Sequence, residues 1–553
     1  MKSLPQPKKV WGFLIIHPKT IKANYVFWIP MKVQKLILAI LILFGSCQSK
    51  EYDLVILNGT VYKGDGSPGQ ILDIGVSGDE ISFIGKLENY KSKETIDASG
   101  LAVSPGFIDL HTHLEPILEM PLAESLIRQG VTLALGGPDG SGPLPLGEFL
   151  DSLEQMEIGP NLAYLVGHNS IRRKYLQNSD REPNEEELQQ MIQEVDRAMK
   201  EGAFGISTGL KYLPGTFAKK DELIALSKAA AEHGGIYTSH LREEGIGLVE
   251  AVQEAIEISD EASIPVILTH HKAIGVKMWG ASTKTLALVD SARKQGLDIK
   301  MDQYPYAASH TGISVLIPSW AMEGGNFEER VKNPSLRDSI KDGIIYSILN
   351  DRGGADLKRI QFSTVTWDRS LEGKTLHDWL IREGKNPSVE NGADFVIQAQ
   401  LNGGTGTIYH AMDEADVRRI MQHPMTMIAS DGRLSRPGEG HPHPRAYGTF
   451  PRVLGFYTRE EKVLDLPTAI YKMTGLSAQS LGLSDRGLIE EGMKADLCLF
   501  DPETIRDKST FIDPHQYPEG ILYVLVNGQF AVKEGEFLNK GFGKVIRKQA
   551  TGR

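Results

Sequence analysis

The chain has 553 residues, of which 41% are hydrophobic and two are cysteines, and its formal net charge is -11. These values exclude an intrinsically disordered chain, a disulfide scaffold and a polytopic membrane protein. Nucleic acid is also excluded as a partner, because binding to a phosphate backbone needs clustered basic charge. The length exceeds what one hydrophobic core normally supports, so we expect more than one domain.

A removable leader is predicted ahead of the folded protein. Met31 opens a segment in which lysines precede an apolar run at residues 36–44, and the run is followed by Gly45-Ser46-Cys47. This order is typical of a secretion signal, and the run is shorter than the roughly 20 residues that span a bilayer. Because Cys47 resembles the acylated cysteine of a bacterial lipobox, we expect residues 1–46 to be removed. The protein would then be an exported lipoprotein, facing the periplasm or the cell surface and touching the membrane only through its lipid. A plain secretion signal or a short anchor is the alternative.

Short apolar segments separated by turns occupy both ends of the mature chain, at residues 47–104 and 481–553. Asn58-Gly59 and Asn527-Gly528 each lie between two such segments. Asn-Gly supplies the positive φ values of a tight hairpin turn, so these segments are predicted to be antiparallel strands. We expect the two ends to form one small β-sandwich.

The middle of the chain, residues 105–480, alternates helical and strand patterns. Apolar runs at residues 203–207, 236–239, 265–269 and 297–301 each follow a helical pattern. Repeated βα units with short connections indicate a parallel sheet, and a run of this length predicts a (β/α)₈ barrel in an α/β fold. Residues 311–403 break the rhythm and are predicted to be an insertion or lid.

Polar residues follow the predicted strands. His111 and His113 come after the first strand, His240 and His270 come after later ones, and Asp431 follows the last. Barrel enzymes place their chemistry at this end of the strands, and residues two apart in a strand point to one side. One such histidine is more often a hydrogen-bonded polar residue than a ligand. Four imidazoles and a carboxylate at equivalent places predict a metal site, for which zinc is suited.

Several motifs resemble those of a known family. Residues 105–113, Pro-Gly-Phe-Ile-Asp-Leu-His-Thr-His, resemble the first-strand signature of the amidohydrolase superfamily. The chain is similar to the D-aminoacylases, or N-acyl-D-amino-acid deacylases, over about residues 52–537, through motifs at residues 205–212, 239–242, 269–272, 302–306, 430–432 and 445–452. The resemblance implies a zinc-dependent hydrolase that cleaves the amide bond of N-acyl-D-amino acids.

The resemblance also implies ligand roles for one or two zinc ions. His111, His113 and Asp431 would form one site, and His240 and His270 would hold the other, which is the tight zinc in D-aminoacylases. That family fills the shared position with a cysteine in a Gly-Asn-Cys-Gly stretch. This chain has Gly137-Pro138-Asp139-Gly140 instead.

Two residues are candidates for the missing shared ligand. Asp139 aligns with the absent cysteine, whereas Lys211 follows the predicted fourth strand, where other superfamily members carry a carboxylated lysine. An ammonium has no lone pair, so Lys211 would serve only after carboxylation. We expect Lys211 to bridge and keep Asp139 as the alternative. The simpler interpretations are a surface lysine and a turn aspartate that bonds its own backbone.

A mechanism follows from these charges. Metal lowers the pKa of bound water and polarises the scissile carbonyl. Asp431 would orient or deprotonate that water and then pass the proton to the departing amide nitrogen, because an amine anion is a poor leaving group.

Substrate contacts are implied by resemblance for Tyr212, Lys272 and Tyr304, which would hold the substrate's carboxylate or the carbonyl near the metal. Arg242 and Arg445 are further candidates, with surface or structural roles as the simpler interpretation. Two other functions remain open at this point. One is a dipeptidase or a cyclic amidase similar to dihydroorotase, and the other is a non-catalytic, surface-tethered binding lipoprotein.

Overall fold

A computed structural model describes residues 50–549 of the chain. Residues 52–88 and 92–549 form one compact unit, and residues 50–51 and 89–91 belong to a second unit. The predicted leader and Cys47 lie outside the described residues. Within the described part, no helix combines the length and the apolar character needed to cross a membrane.

A nine-stranded sheet draws its strands from both ends of the chain. Its strands are Lys50–Val61, Gln70–Ser77, Glu80–Gly85, Tyr90–Asp97, Ala102–Pro105, Leu497–Phe500, Ile521–Val526, Gln529–Lys533 and Glu536–Phe537. The two ends meet where Val103 pairs with Leu499 in an antiparallel register. One sheet is therefore built jointly by the N-terminal and C-terminal segments.

The two Asn-Gly pairs have different roles in this sheet. Asn527 and Gly528 have φ values of 49° and 76° and join two antiparallel strands, as predicted for a hairpin. Asn58 also has a positive φ, of 59°, but it lies inside the strand Lys50–Val61, at a break in register between Ile56 and Gly59. The expected hairpin at Asn58-Gly59 is wrong, because the Asn58 amide donates to Asp73 Oδ1 at 2.9 Å and the chain continues as a bulged strand.

Parallel strands alternate with helices in the middle of the chain. In order they are Phe107–Asp109, Val131–Gly136, Asn161–Tyr164 with Val166–Gly167, Gly205–Gly209, Ile236–His240, Val266–Leu268, Ile299–Gln303 and Thr426–Ile428. Each pairs with its neighbour in chain order. This is the strand order of a (β/α)₈ barrel, and the predicted fold class is confirmed.

The last strand of the barrel returns to the first. The amide of Asp431 donates to the carbonyl oxygen of His111 at 2.9 Å. Just beyond, Gly432–Arg433 pairs in parallel with Thr112–His113. His113 belongs to this pair, and His111 and Asp431 directly precede its two segments, so the predicted metal ligands lie where the first and last strands of the barrel meet.

The barrel strands are buried on both faces, as a parallel sheet covered by helices requires. All six residues of Val131–Gly136 are buried. The helices outside the inserted segment are Glu124–Ile127, Leu146–Glu154, His168–Leu176, Glu185–Glu201, Lys220–Ala231, Leu248–Ala262, Ser282–Lys294, Glu414–Gln422, Arg445–Arg452, Leu466–Met473 and Gly475–Leu481, with a π-helix at Val453–Glu460 and 3₁₀ turns at Gly215–Phe217 and Val276–Met278.

A long segment separates the seventh barrel strand, Ile299–Gln303, from the eighth. It contains an antiparallel sheet made of Ser309–Gly312, Ile360–Thr364 and Gly406–Tyr409. Its helices are Ser319–Met322, Phe327–Lys332, Pro334–Asn350, Leu376–Arg382 and Val389–Leu401, and its 3₁₀ turns are Ile313–Leu316, Glu323–Gly325, Leu357–Arg359 and Arg369–Leu371. We call residues 304–413 the inserted segment; the helix Glu414–Gln422, which leads to the eighth strand, belongs to the barrel. The predicted insertion at residues 311–403 falls within it.

Candidate metal centre and substrate cavity

His111, His113 and Asp431 come together at the meeting point of the first and last barrel strands. Asp431 Oδ1 lies 3.6 Å from His111 Nε2 and 3.3 Å from His113 Nε2. Asp109 lies two residues before His111. Its carboxylate accepts hydrogen bonds from the amide and hydroxyl of Ser430 and from the amide of His111. This buried carboxylate holds the two ligand-bearing segments in register.

His240 and His270 approach the same point from the fifth and sixth strands. Asp139 lies between them, with His240 Nδ1 3.4 Å from its Oδ2 and His270 Nε2 3.5 Å from its Oδ1. The backbone of His270 is held by Asp302, whose Oδ1 accepts from the His270 amide at 2.5 Å. His270 has a positive φ of 37°, so the chain is turned sharply at this ligand.

Asp139 is also close to the first histidine pair. Its Oδ1 lies 3.4 Å from His111 Nε2, and its Oδ2 lies 3.7 Å from His113 Nε2. One carboxylate therefore faces all four imidazoles. This is the position that a ligand shared by two metal ions would occupy.

The turn that carries Asp139 is fixed by the fourth strand. Asp139 has a φ of 54°, in the left-handed region that aspartate tolerates better than most residues. The Gly140 amide donates to Ser207 Oγ at 3.1 Å, and Ser207 Oγ donates to the Gly137 carbonyl at 2.6 Å. A side chain on Gly140 would collide with Asn169 Oδ1, which would lie 2.1 Å from the new Cβ. The contact with Ser207 on the fourth strand thus holds the turn that directs the Asp139 carboxylate into the barrel.

Many polar atoms of this cluster have no hydrogen-bond partner among the described residues. They are both ring nitrogens of His111 and of His240, Nε2 of His270 and Oδ1 of Asp139, all of them buried. Leaving buried polar groups unpaired is costly, so the arrangement calls for a ligand at its centre. The candidate ligand atoms lie within 4.8 Å of one another in two groups that share Asp139: His111, His113, Asp139 and Asp431 in one, and Asp139, His240 and His270 in the other. The donor set fits one or two metal ions.

Both carboxylates of the cluster are held in the ionised form. Burial alone would raise the pKa of Asp431, but the guanidinium of Arg445 and the imidazole of His111 outweigh it and lower that pKa. Burial likewise opposes the ionisation of Asp139, but its histidine neighbours hold the Asp139 pKa well below its usual value. Ionised carboxylates are the form that binds a cation.

The structure does not bring Lys211 to this cluster. Its Nζ lies 2.8 Å and 2.9 Å from the two carboxylate oxygens of Glu243, on the wall of a neighbouring cavity. The expectation that a carboxylated Lys211 takes the shared position is therefore corrected in favour of Asp139. The physical reason is that the Lys211 ammonium is paired with the Glu243 carboxylate in the wall of the neighbouring cavity, whereas Asp139 faces the histidines.

Glu244 is a buried residue of the site that the sequence interpretation missed. Its Oε1 lies 3.2 Å from His270 Nδ1, and its Oε2 lies 3.7 Å from His240 Nε2. Lys272 binds the same carboxylate and also lies 2.7 Å from His270 Nδ1. Glu244 follows His240 by four residues, and this spacing beyond a ligand strand is a signal that would have found it.

The metal cluster opens into a cavity of about 320 Å³. Tyr212, Lys272 and Arg445, three of the predicted substrate residues, line it together with the ligands. The ring of Tyr212 lies 4.5 Å from the ring of His240, and burial raises the pKa of Tyr212 well above its usual value. Tyr212 therefore keeps its hydroxyl proton. Arg445 Nη1 lies 2.7 Å from Asp431 Oδ2.

Tyr304 and Arg242 stand outside the cavity wall. Tyr304 is buried below Arg445, whose guanidinium carbon lies 4.6 Å from the tyrosine ring centroid. Arg242 binds Glu254 with two nitrogens and donates to the carbonyl oxygens of Thr216 and Ala218. The expectation that Arg242 contacts substrate is corrected, because these partners occupy its guanidinium and hold it against a helix.

Comparison with known proteins agrees with this geometry. Residues 94–333 and 381–532 match the profile of the amidohydrolase family. A D-aminoacylase of Alcaligenes xylosoxydans xylosoxydans is 34% identical over 529 residues, which cover 91% of this chain and 99% of that protein. An N-acyl-D-glutamate deacylase of the same organism is 35% identical over 525 residues, covering 91% and 98% of the two chains. The crystal structure of N-acyl-D-glutamate deacylase from Bordetella bronchiseptica, complexed with zinc and a phosphonate inhibitor, superposes with a TM-score of 0.77 at 32% identity, covering 90% of this chain and 100% of that one.

Proposed function

This chain belongs to the amidohydrolase family, and on that premise we propose that it is a zinc-dependent hydrolase that cleaves the amide bond of N-acyl-D-amino acids. The observation that carries the proposal is Asp139, a single carboxylate that faces four imidazoles, of which His111, His240 and His270 are buried and have unpaired nitrogens. Zinc is favoured because imidazole and carboxylate are among its usual ligands. The D-amino acid is taken from the named activities of the relatives, D-aminoacylase and N-acyl-D-glutamate deacylase.

We assign His111, His113, Asp139, His240, His270 and Asp431 to hold the metal. A metal ion at this point would supply Lewis acidity, which promotes ionisation of water near neutral pH and polarises a carbonyl group. Within the protein, Asp431 accepts the proton of the attacking water and returns it to the amide nitrogen, so that a neutral amine departs. Arg445 fixes one oxygen of Asp431, which leaves the other oxygen facing the histidines.

Side chains of the cavity wall would position the substrate. The Tyr212 hydroxyl, which stays protonated, is a hydrogen-bond donor for the substrate's carbonyl oxygen. Lys272 and Arg445 are cations in the same wall, and charge-assisted hydrogen bonds from such groups suit a carboxylate. These contacts fix where the amide bond lies relative to Asp431.

The proposal is tested by metal analysis combined with hydrolysis of paired N-acetyl-D- and N-acetyl-L-amino acids. We expect bound zinc, cleavage of the D series, loss of activity with a chelator and recovery when zinc is added. Zinc without turnover of either series would overturn the deacylase assignment, and dipeptides and cyclic amides would be assayed next. A protein without metal and without activity would instead fit a binding lipoprotein.

We further propose that the protein is exported and anchored through an acylated Cys47. The supporting observation is the order of residues 31–47, in which basic residues are followed by an apolar run and then by small residues before Cys47. Cys47→Ser should shift the protein from the membrane fraction to the soluble fraction. Equal membrane retention of both proteins would contradict the lipid anchor.

A further inference from the structure

Cationic side chains line the cavity beside the metal cluster, and most of them already have a partner. Lys272 binds Glu244, Arg445 binds Asp431, and Arg433 lies 2.8 Å from Glu115. Arg173 is exposed and donates to the Leu213 carbonyl at 3.0 Å. The fifth cationic side chain of the cavity wall is Arg352.

Arg352 is buried and forms no ion pair with any described residue, although its neighbour Asp351 interacts with it electrostatically at longer range. Only 2% of its surface is exposed, yet it lines the cavity. Among the residues that the structure describes, no carboxylate oxygen lies within 4.0 Å of its guanidinium and its side chain makes no hydrogen bond. Its guanidinium carbon lies 5.2 Å from the ring centroid of Tyr409. A buried cation without an anion is unfavourable, because the desolvation of the charge is not compensated.

The inserted segment holds Arg352 in this place. Arg352 follows the helix Pro334–Asn350, and its amide donates to the Ser347 carbonyl at 3.2 Å. Tyr409, on which it stacks, ends the strand Gly406–Tyr409 of the same segment. Two elements of the inserted segment therefore fix the guanidinium, which limits the entropy that it loses when a ligand binds.

We propose that Arg352 binds a carboxylate of the substrate. The proposal rests on the proposed function and deepens it, because it names the group that selects an anionic substrate. Lys272 and Arg445 each form an ion pair with a protein carboxylate, whereas no carboxylate oxygen among the described residues lies within 4.0 Å of the Arg352 guanidinium. A planar guanidinium also presents paired donors that match the two oxygens of a carboxylate.

Arg352 could bind either the α-carboxylate or a side-chain carboxylate of the substrate, and four compounds distinguish the two. N-acetyl-D-methionine and its amide differ in the α-carboxylate, and N-acetyl-D-glutamate and N-acetyl-D-glutamine differ in the side-chain carboxylate. Arg352→Gln should lower kcat/KM by about 10- to 100-fold for every substrate that carries the bound group, as expected for hydrogen bonds to a charged partner. The amide of N-acetyl-D-methionine should be unaffected. Arg352→Lys should lose less, because it keeps the charge but not the paired donors.

The pattern of losses identifies the carboxylate. A fall for all three free acids, with the amide unchanged, assigns Arg352 to the α-carboxylate. A fall for N-acetyl-D-glutamate alone assigns it to the side chain. Unchanged kinetics with all four substrates, or an equal fall for acid and amide, would overturn the proposal.

Two further measurements separate this proposal from a structural role and from the proposed function. Arg352→Gln removes a buried charge that forms no ion pair among the described residues, so Tm should stay the same or rise, and a large fall in Tm would mean that Arg352 supports the fold instead. Glutarate binding by calorimetry tests the anion site without turnover: the wild type should bind at least about tenfold more tightly than Arg352→Gln, and equal affinities would overturn the site even if hydrolysis is observed. Arg359→Gln is the matched control, since Arg359 lies seven residues away against Trp279 and outside the cavity wall.

Discussion

Asp431→Asn is expected to lower kcat by about a thousandfold, within the range that a positioned acid or base contributes. The amide has nearly the same shape as the carboxylate but cannot accept the proton of water. The substitution also removes the negative charge that faces His111 and His113 and that pairs with Arg445. The fold should persist, because the backbone contact between Asp431 and His111 does not involve the side chain.

The measurement is kcat together with metal content and Tm. Metal content shows whether the loss comes from proton transfer or from a lost ligand, because only the second lowers the bound metal. Glu439→Gln is the control: Glu439 is exposed in the loop that follows Asp431 and should leave kcat unchanged. An Asp431→Asn enzyme that keeps more than about a tenth of wild-type turnover would contradict the assigned role.

Asp139→Asn is expected to remove most of the bound metal and, with it, the activity. Asp139 is the one carboxylate shared by the two groups of ligand atoms, so its charge compensates whichever ion is bound. Loss of even a residue behind the ligands typically costs 10- to 100-fold in metal affinity, and loss of a shared ligand should cost at least about 100-fold. Asparagine is chosen because it tolerates the left-handed φ of 54° at this position.

Two further variants make this prediction specific. Asp139→Cys places a thiolate where the related family has one, and it should keep bound metal and part of the activity. Lys211→Met should leave metal content unchanged, since the Lys211 ammonium pairs with Glu243. Metal retained by Asp139→Asn and lost by Lys211→Met would reverse the assignment of the shared position.

The metal histidines could be predicted from sequence because their placement is a local matter. All strands of the barrel are parallel, so the residues that follow them lie together at the C-terminal end of the barrel. Three of the histidines lie in such positions: His240 is the last residue of its strand, and His111 and His270 each lie two residues after the end of a strand. The fold class could be predicted for the same reason, since strand and helix periods repeat along the chain.

Other residues could not be placed because their direction depends on contacts far away in the chain. Asp139 enters the barrel only because its turn is tied to Ser207 on the fourth strand. Arg242 stands two residues after a metal ligand, yet Glu254 on the following helix draws it outward. Arg352 is 79 residues before Asp431 in an irregular segment, and no periodic pattern connects it to the cavity.

The parallel pair formed by Thr112–His113 and Gly432–Arg433 has a consequence for how the molecule holds together. The two segments that meet there also carry His111, His113 and Asp431, so a metal ion held by these residues would tie the first barrel strand to the last one. Metal binding and the stability of the closed barrel would then be thermodynamically linked, so that each favours the other. Whatever supplies the ion during maturation would also decide when the barrel becomes a closed and protease-resistant body.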